Sequence, residues 1–248
     1  MSDPDIVLYV RHRATHIETI AGRHADVAAR MATIGPPLGW QGLSIPKAPP
    51  ENVEFSGGYM VRYNVKGIKC AVNFLSRHPN YKYQDHASFD DSIRIGFRST
   101  NKKLDYAAIL GAEFPKVVAA FDGYKADVGF KYLGMYYEDG GENNPVDSDG
   151  YVLQLNEVYN RLRQDNTLDI NGRNCIYTLD PAMFWDALLC RRALGYGPEE
   201  VIRRLDGRVP LVRPLMDGVY IVFNDDIGLT YAQFVEMNER NKAILGLV

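Results

Sequence analysis

The sequence contains few cysteines, and their spacing fits neither a disulfide framework nor a metal site. Three occur in 248 residues, Cys70, Cys175 and Cys190, and no two of them are close together. Cys70 lies in an alternating apolar run and Cys190 in a helical one, positions where a free thiol behaves as a small buried hydrophobe. We therefore expect reduced, structural cysteines, as in the reducing environment of a cytoplasm.

Long hydrophobic runs are also missing. The longest apolar run is far below the ~18 residues that a transmembrane helix needs. The first residues, MSDPD, are acidic and lack the basic and apolar regions of a secretory signal peptide. The sequence thus predicts a protein that does not enter a membrane and stays in the cytoplasm.

Neither sign of charge is in large excess. The chain has 28 basic and 31 acidic residues, a net charge of −3. Proteins that coat nucleic acid or bind membrane surfaces usually carry a basic excess or a basic stripe. We therefore predict neither a nucleic-acid partner nor a membrane partner. A chain of this length and hydrophobic content can bury a core without a metal or disulfide.

Histidine is absent from the last 162 residues, and this bears on the most catalytic-looking motif. A predicted strand, Ile6 to Val10, is followed by Arg11-His12, an order that resembles the histidine phosphatases. That family has Gly directly after its His and needs a second His late in the chain, whereas here Arg13 follows. A lone His cannot supply the charge clamp that phosphoryl transfer requires. A divergent phosphatase-like enzyme using His12 is therefore the least favoured alternative.

Metal-binding and phosphate-binding motifs are incomplete. His12 and His16 stand four residues apart, but Arg13 occupies the position of the Glu in a zinc metalloprotease helix. Asp147-Ser148-Asp149-Gly150 matches only part of a calcium loop, because both anchoring positions hold other residues. The sequence has no P-loop, no Gly-x-Ser-x-Gly elbow and no Cys-x-x-Cys pair. We predict no metal, no cofactor and no catalytic residue.

Helical and alternating patterns are both present. Apolar residues recur on one helical face from Thr15 to Ile34 and again from about Lys102 to Phe121, where Pro115 is expected to kink or split the helix. Runs of alternating apolar and polar residues at 59–65, 68–74 and 93–97 predict an antiparallel meander with one face exposed to solvent.

Residues typical of helix ends and turns are frequent in the C-terminal third. Asp180-Pro181 predicts a helix that runs to Leu194 and ends at Gly195. The remaining predictions are helices at 153–163, 198–205 and from Thr230, which has the spacing of a capping box, and strands at 175–179, 209–212 and 219–223. The pattern predicts an α+β fold of antiparallel sheets packed with amphipathic helices. We expect one domain of two halves, about 1–137 and 151–248, separated by an acidic loop at 138–150.

An acidic, tyrosine-flanked tract is the strongest candidate for a binding surface. Residues 138–149 contain five acids and no base. A solvated loop would explain this composition, and so would a patch that docks a basic partner. Tyr is common at interface hot spots, although we expect half of the nearby tyrosines in the core. The predicted partner-binding residues are Glu138, Asp139, Glu142, Asp147, Asp149, Tyr136 and Tyr137.

The C-terminal stretches 184–195 (FWDALLCRRALG) and 217–223 (DGVYIVF), with Trp40 in a loop after the first long helix, resemble bacterial toxin-immunity proteins. The order of elements is most similar to immunity protein family 52 of polymorphic toxin systems. This resemblance implies an α+β inhibitor of a restriction-endonuclease-like nuclease toxin delivered between bacteria, for instance by type VI secretion. It supplies no catalytic residues and leaves the docking face and oligomeric state open. A non-catalytic adaptor or binding module of another kind is the main alternative.

Overall fold

The computed structural model describes residues 4–15, 17–51, 56–76, 86–142, 144–145 and 156–247. The chain forms two compact units, Met1–Val128 and Gly129–Val248. Both combine antiparallel strands with helices, so the predicted α+β class is confirmed. None of the helices in these described ranges is long and apolar enough to cross a membrane.

The first unit is built on a sheet with the strand order β2-β3-β4-β1-β5. Its strands are β1 (Ile6–His12), β2 (Ser56–Val61), β3 (Lys69–Leu75), β4 (Asp91–Phe97) and β5 (Lys125–Phe130). The pairs β2–β3, β3–β4 and β1–β4 are antiparallel, which confirms the predicted meander. Buried Cys70, Val72 and Phe74 alternate with half-buried residues along β3, as the period-two pattern requires.

Helix α1 (Ile20–Ala32) is shorter than the predicted helix at its N-terminal end. Thr19 has extended backbone geometry, and its side chain accepts a hydrogen bond from the N–H of Gly22, so it forms the N-cap. Ile20, Val27 and Met31 are buried, as expected for the inner face of an amphipathic helix.

The helix predicted around Pro115 is interrupted, as expected. It consists of α2 (Tyr106–Ala108), a π-helical segment Ile109–Glu113, and α3 (Phe114–Ala120). Pro115 has no N–H to donate and lies in the first turn of α3, where no donor is needed. Just before it, the N–H of Phe114 donates to the carbonyl of Ile109, five residues back.

The second unit carries three antiparallel strands in the order β6-β8-β7. The strands are β6 (Ala182–Trp185), β7 (Leu211–Leu215) and β8 (Gly218–Val222), and the helices are α4 (Leu133–Asp139), α5 (Glu157–Gln164), α6 (Ala187–Leu194), α7 (Pro198–Leu205) and α8 (Tyr231–Leu245). The predicted capping box is confirmed at the start of α8, where Thr230 and Gln233 cap each other.

The helix predicted to start at Asp180-Pro181 is wrong in its first half. Residues 182–185 form β6, and all four are buried. The N-cap of α6 is Asp186, whose carboxylate accepts a 2.6 Å hydrogen bond from the N–H of Leu189. Burial in a sheet therefore overrides the Asp-Pro signal, and a second Asp starts the helix six residues later. The helix ends at Gly195 with positive φ, as predicted.

The strand predicted at Cys175 to Leu179 is also wrong, because side chains take the place of a neighbouring strand. The N–H groups of Tyr177 and Thr178 both donate to Asn171 Oδ1, and the N–H of Leu179 donates to Asn238 Oδ1. Buried backbone groups need partners, and here asparagine amides supply them.

Two elements were missing from the sequence prediction, β5 and α4. No helix or strand was predicted for residues 123–137, and an acidic loop was predicted at 138–150, but α4 extends through Glu138 and Asp139 and ends at Gly140 with a φ of 85°. The first two acids of the tract are therefore helical. The point of division between the two units lies within β5.

The cysteines have the environments that the sequence predicts. All three are free; Cys70 and Cys190 are buried and Cys175 is half-buried. Burial raises the pKa of Cys70 and of Cys190 to about 12, so neither thiol ionises at neutral pH.

Candidate functional site

The solvent-facing side of α4 carries two large apolar side chains next to two acids. Tyr132 is 59% exposed and Met135 is 49% exposed. Met135 and Asp139 stand at positions i and i+4 of α4 and share one helical face, and Tyr132 precedes the helix as its N-cap. Glu142 is exposed just beyond the helix. We call Tyr132, Met135, Asp139 and Glu142 the α4 stripe.

Backbone strain lies at the entrance to this stripe. Lys131 and Tyr132 have φ values of 47° and 63°, in the left-handed region. This region costs a residue with a side chain roughly 1–2 kcal/mol. Such strain persists where the surrounding structure enforces it, and it is concentrated at functional segments. Here it directs the chain into α4 and leaves the Tyr132 ring outside.

Both acids of the stripe lie close to Tyr231. Burial is the main cause that raises the pKa of Tyr231, and the carboxylates of Glu142 and Asp139 add to it. The hydroxyl of Tyr231 donates to the carbonyl of Tyr136 at 3.2 Å, which ties α8 to α4. Partial burial also raises the pKa of Asp139, and the positive charge of Arg163 opposes that effect.

Three other predicted binding residues point into the unit instead. Glu138 Oε1 accepts hydrogen bonds from Asn171 Nδ2 and Thr178 Oγ1, each at 2.7 Å. Tyr136 is half-buried, with its ring packed edge-on against Tyr231. Tyr137 is buried. Asp147 and Asp149 lie outside the described residues, so the structure brings together only part of the predicted set.

Tyr137 belongs to a buried polar cluster centred on Lys242. Lys242 Nζ donates to Tyr137 Oη at 3.0 Å, and that hydroxyl donates to Glu239 Oε1 at 2.6 Å. The ammonium also lies 3.8 Å from the ring centroid of Tyr177 and 4.6 Å from that of Tyr137. Tyr159 stacks on Tyr177 at 5.2 Å. A cation enclosed by aromatic faces is held by cation–π attraction.

A cavity of about 220 Å³ adjoins this cluster. Its walls include Tyr137, Tyr177 and Lys242, together with Asn156 and Val158 at the start of α5. Burial lowers the pKa of Lys242 to about 8, against the opposing charges of Glu239, Cys175 and Glu138. Burial is also the main cause of the raised pKa values of Tyr137, Tyr177 and Tyr159, the last to about 12.

The sequence prediction did not include Lys242, although the residue pattern of α8 indicates a buried polar network. Asn238, Asn241 and Lys242 stand on the same face as buried Phe234 and Leu245, and all three are buried. Polar residues at core positions of an amphipathic helix indicate buried networks, because an unpaired polar group would be costly there. The partner Tyr137 is 105 residues away and cannot be identified from helical periodicity.

Arg11 and His12 both lie within β1, which extends to His12 and not only to the predicted Val10. Consecutive strand residues point to opposite faces of a sheet. The guanidinium of Arg11 packs over the ring of Tyr9 at 5.1 Å, whereas His12 packs against Phe121 and its Nδ1 lies 2.8 Å from the carbonyl of Asp122. The two side chains cannot hold one phosphate together in this arrangement.

The surroundings of His12 are also unsuited to an anion. A small cavity of about 60 Å³ there is lined by four acids, Glu18, Asp26, Asp91 and Asp122, and by two arginines. His12 lies in a strand, so it offers no helical face to share with His16, which lies outside the described residues. Across the described part of the chain, no group of three or more His, Cys, Asp or Glu side chains could hold a metal ion.

Comparisons with known proteins leave the family open. No family model matches the chain, and no curated protein matches it. One solved structure is similar, the Pseudomonas aeruginosa T6SS protein PA0821, at 10% identity and a TM-score of 0.48. The alignment covers 96% of this chain and 72% of that one. Similarity at this level carries no argument about function, and the resemblance to immunity protein family 52 stays a prediction.

Proposed function

We propose that this chain is an immunity protein that binds and neutralises a secreted nuclease toxin of the same bacterium. The observation that carries the proposal is the α4 stripe, in which Tyr132 and Met135 are exposed and the acids Asp139 and Glu142 follow within the same short segment. It fits a protein partner better than a small molecule, because its two large apolar side chains are open to solvent.

The apolar half of the stripe supplies binding energy. Tyr and Met are enriched in the cores of protein interfaces, and an aromatic ring loses little conformational entropy when it is covered. Tyr132 follows Lys131 in a strained turn, and its side chain has only two rotatable bonds to order on binding.

The acidic half of the stripe indicates that the partner surface is basic. A nuclease must hold phosphates, so its active-site surface is basic. Asp139 and Glu142 complement such a surface, speed the encounter and disfavour acidic partners. The arrangement of Arg11 and His12 on opposite faces of β1 also supports a non-catalytic function.

Co-expression with the toxin domain encoded by the neighbouring gene tests the proposal. We expect rescue from toxicity and a complex that survives gel filtration. The double variant Tyr132→Ser with Met135→Ser should weaken binding at least tenfold, by analogy with other buried aromatic anchors. Ile17→Ser with Met60→Ser is the matched control, because it removes two exposed apolar side chains of the first unit.

Failure of rescue by the wild-type chain would rule out the immunity function. Rescue with equal affinities for the stripe variant and the control would retain that function and exclude the α4 stripe as its interface.

A further inference from the structure

Lys242 is a buried amine on the inner face of α8. Only 5% of the residue is exposed, and its hydrogen bond goes to a neutral acceptor, the hydroxyl of Tyr137. No carboxylate among the described residues lies within ion-pair distance of its Nζ. A buried charge of this kind is costly, and its replacement by an apolar side chain of similar volume is often neutral or stabilising in proteins.

The cavity beside Lys242 gives this amine access to a ligand. Tyr137 and Tyr177 line the cavity and are the two residues whose rings or hydroxyl contact Nζ. Asn156, Val158, Glu239, Ala243 and Leu247 complete a wall that is about equally polar and apolar. The volume of about 220 Å³ is large enough for a small aromatic molecule.

We propose that Lys242 is a reactive amine that forms an imine with small neutral carbonyl compounds admitted to this cavity. The proposal is independent of the toxin-binding function, because the α4 stripe is on the exposed side of α4 and Lys242 is buried.

The groups around Nζ match the steps of imine formation. The uncharged amine attacks the carbonyl carbon, forming a C–N bond while the carbonyl electron pair moves to oxygen. Nitrogen then loses its protons, oxygen gains them and leaves as water, and a C=N bond remains. Tyr137 Oη contacts Nζ and Glu239 Oε1, so it can pass protons between nitrogen and the exposed carboxylate. A desolvated lysine is the activated form of this nucleophile.

The charges around the cavity select neutral compounds. Glu138 on α4 and Glu239 on α8 both act on Lys242, as does Cys175, while Tyr137 and Tyr177 supply the faces that surround it. An anionic carbonyl compound would be repelled by the two carboxylates, and a flat aromatic one would stack on the tyrosines.

Reductive trapping tests the proposal in the full chain. The protein is treated with limiting benzaldehyde and cyanoborohydride at pH 7.5, and the labelled lysines are quantified by peptide mass spectrometry. With its lowered pKa, Lys242 has a neutral fraction roughly 200-fold above that of an ordinary lysine. We expect trapping at Lys242 about tenfold or more faster than at exposed Lys116 and Lys131, since the cavity walls slow entry.

Three controls separate this result from a structural role. In urea the preference for Lys242 should vanish. 4-Formylbenzoate should label Lys242 at least severalfold more slowly than benzaldehyde, with little difference at the exposed lysines. Tyr137→Phe, which keeps the ring, should slow trapping severalfold, whereas Tyr196→Phe, which removes a hydroxyl bonded to Leu245 instead, should not. A purely structural Lys242 would be protected in the folded chain, and labelling slower than at the exposed lysines would overturn the proposal.

Discussion

Arg23 Nε lies 2.7 Å from Asp91 Oδ2, and the two side chains are 3% and 0% exposed. Arg23 also donates to the carbonyls of Glu18 and Leu75, at 2.5 and 2.6 Å. Asp91 Oδ1 accepts from the N–H of Leu75 at 2.9 Å. The pair therefore connects α1 with the adjacent ends of β3 and β4, and each ion has further hydrogen-bond partners that offset its desolvation.

Breaking this pair should destabilise the first unit strongly. Asp91→Ala leaves the Arg23 guanidinium buried without its counter-charge, and we expect a loss of about 3–5 kcal/mol in the free energy of unfolding. The double variant Arg23→Met with Asp91→Leu should recover a large part of that loss, because no buried charge remains. Urea denaturation at pH 7 measures both.

The matched control is Glu200→Gln, which breaks the exposed pair with Arg203 and should leave the urea midpoint unchanged. Equal effects of Asp91→Ala and Glu200→Gln would contradict the prediction.

The acids of the tract should separate into two classes. Asp139→Asn with Glu142→Gln should weaken toxin binding, most clearly at low salt, and leave the thermal midpoint unchanged, since both face solvent at least in part. Glu138→Gln should instead lower the thermal midpoint, because one oxygen of Glu138 accepts from both Asn171 and Thr178. Calorimetric titration at two salt concentrations, with a melting curve for each variant, distinguishes the classes. Salt-independent binding by the first variant would argue against a charged interface.

Lys242 should make stability depend on alkaline pH. Its pKa falls from 10.5 to about 8 on folding, so between these values the unfolded chain binds more protons than the folded chain. The contribution of Lys242 to stability therefore rises with pH from about 8, by an amount on the order of 2–3 kcal/mol, whereas ionisation of Cys70 and Cys190 in the unfolded chain lowers stability over the same range, because burial raises the pKa of both thiols in the folded chain. Lys242→Met removes the contribution of Lys242 and leaves that of the cysteines, so stability should fall more steeply with pH in the variant than in the wild type. Urea midpoints of both proteins from pH 7 to 9.5 test it, and parallel curves would show that Lys242 does not titrate differently in the two states.

The side chain of Asn238 bonds the backbone of Leu179 as a neighbouring strand would, so its removal should lower the stability of the second unit. Its amide accepts from the N–H of Leu179 at 2.8 Å and donates to the carbonyl of Leu179 at 2.9 Å. Asn238→Leu leaves both backbone groups buried and unpaired, at a cost of about 2–4 kcal/mol. Asn160→Leu on the exposed side of α5 is the control and should have little effect. Hydrogen exchange at the Leu179 amide should accelerate in the first variant only; unchanged protection would contradict the assignment.

Local patterns predicted the elements that depend on local chemistry. The meander, the interruption at Pro115, the end of α6 at Gly195 and the capping box at Thr230 each follow from a few adjacent residues. The prediction failed where distant partners decide the structure. Residues 182–185 are a strand because β8 pairs with them, despite the helix signal before them.

For the candidate site too, local patterns identified some residues, whereas residues whose role depends on distant partners were missed. Asp139 and Glu142 were identified from composition and are at least partly open to solvent. Tyr137 and Glu138 have the same residue types but face inward, because they lie on the other side of a helix that the glycine- and tyrosine-rich composition concealed. Lys242 was missed because its meaning depends on Tyr177 and Tyr137, which no helical pattern connects to it.

The inner face of α8 has a consequence for engineering. Asn238, Asn241 and Lys242 occupy positions where a design procedure would place leucine or isoleucine to increase hydrophobic burial. Leucine or isoleucine at position 238 would remove the side chain that accepts a hydrogen bond from the backbone of Leu179. The same substitution at Lys242 would remove the ammonium that packs against the ring of Tyr177. Saturation mutagenesis of α8 should therefore show that these three buried positions tolerate apolar residues differently, with Asn238 the most restrictive and Lys242 open to methionine.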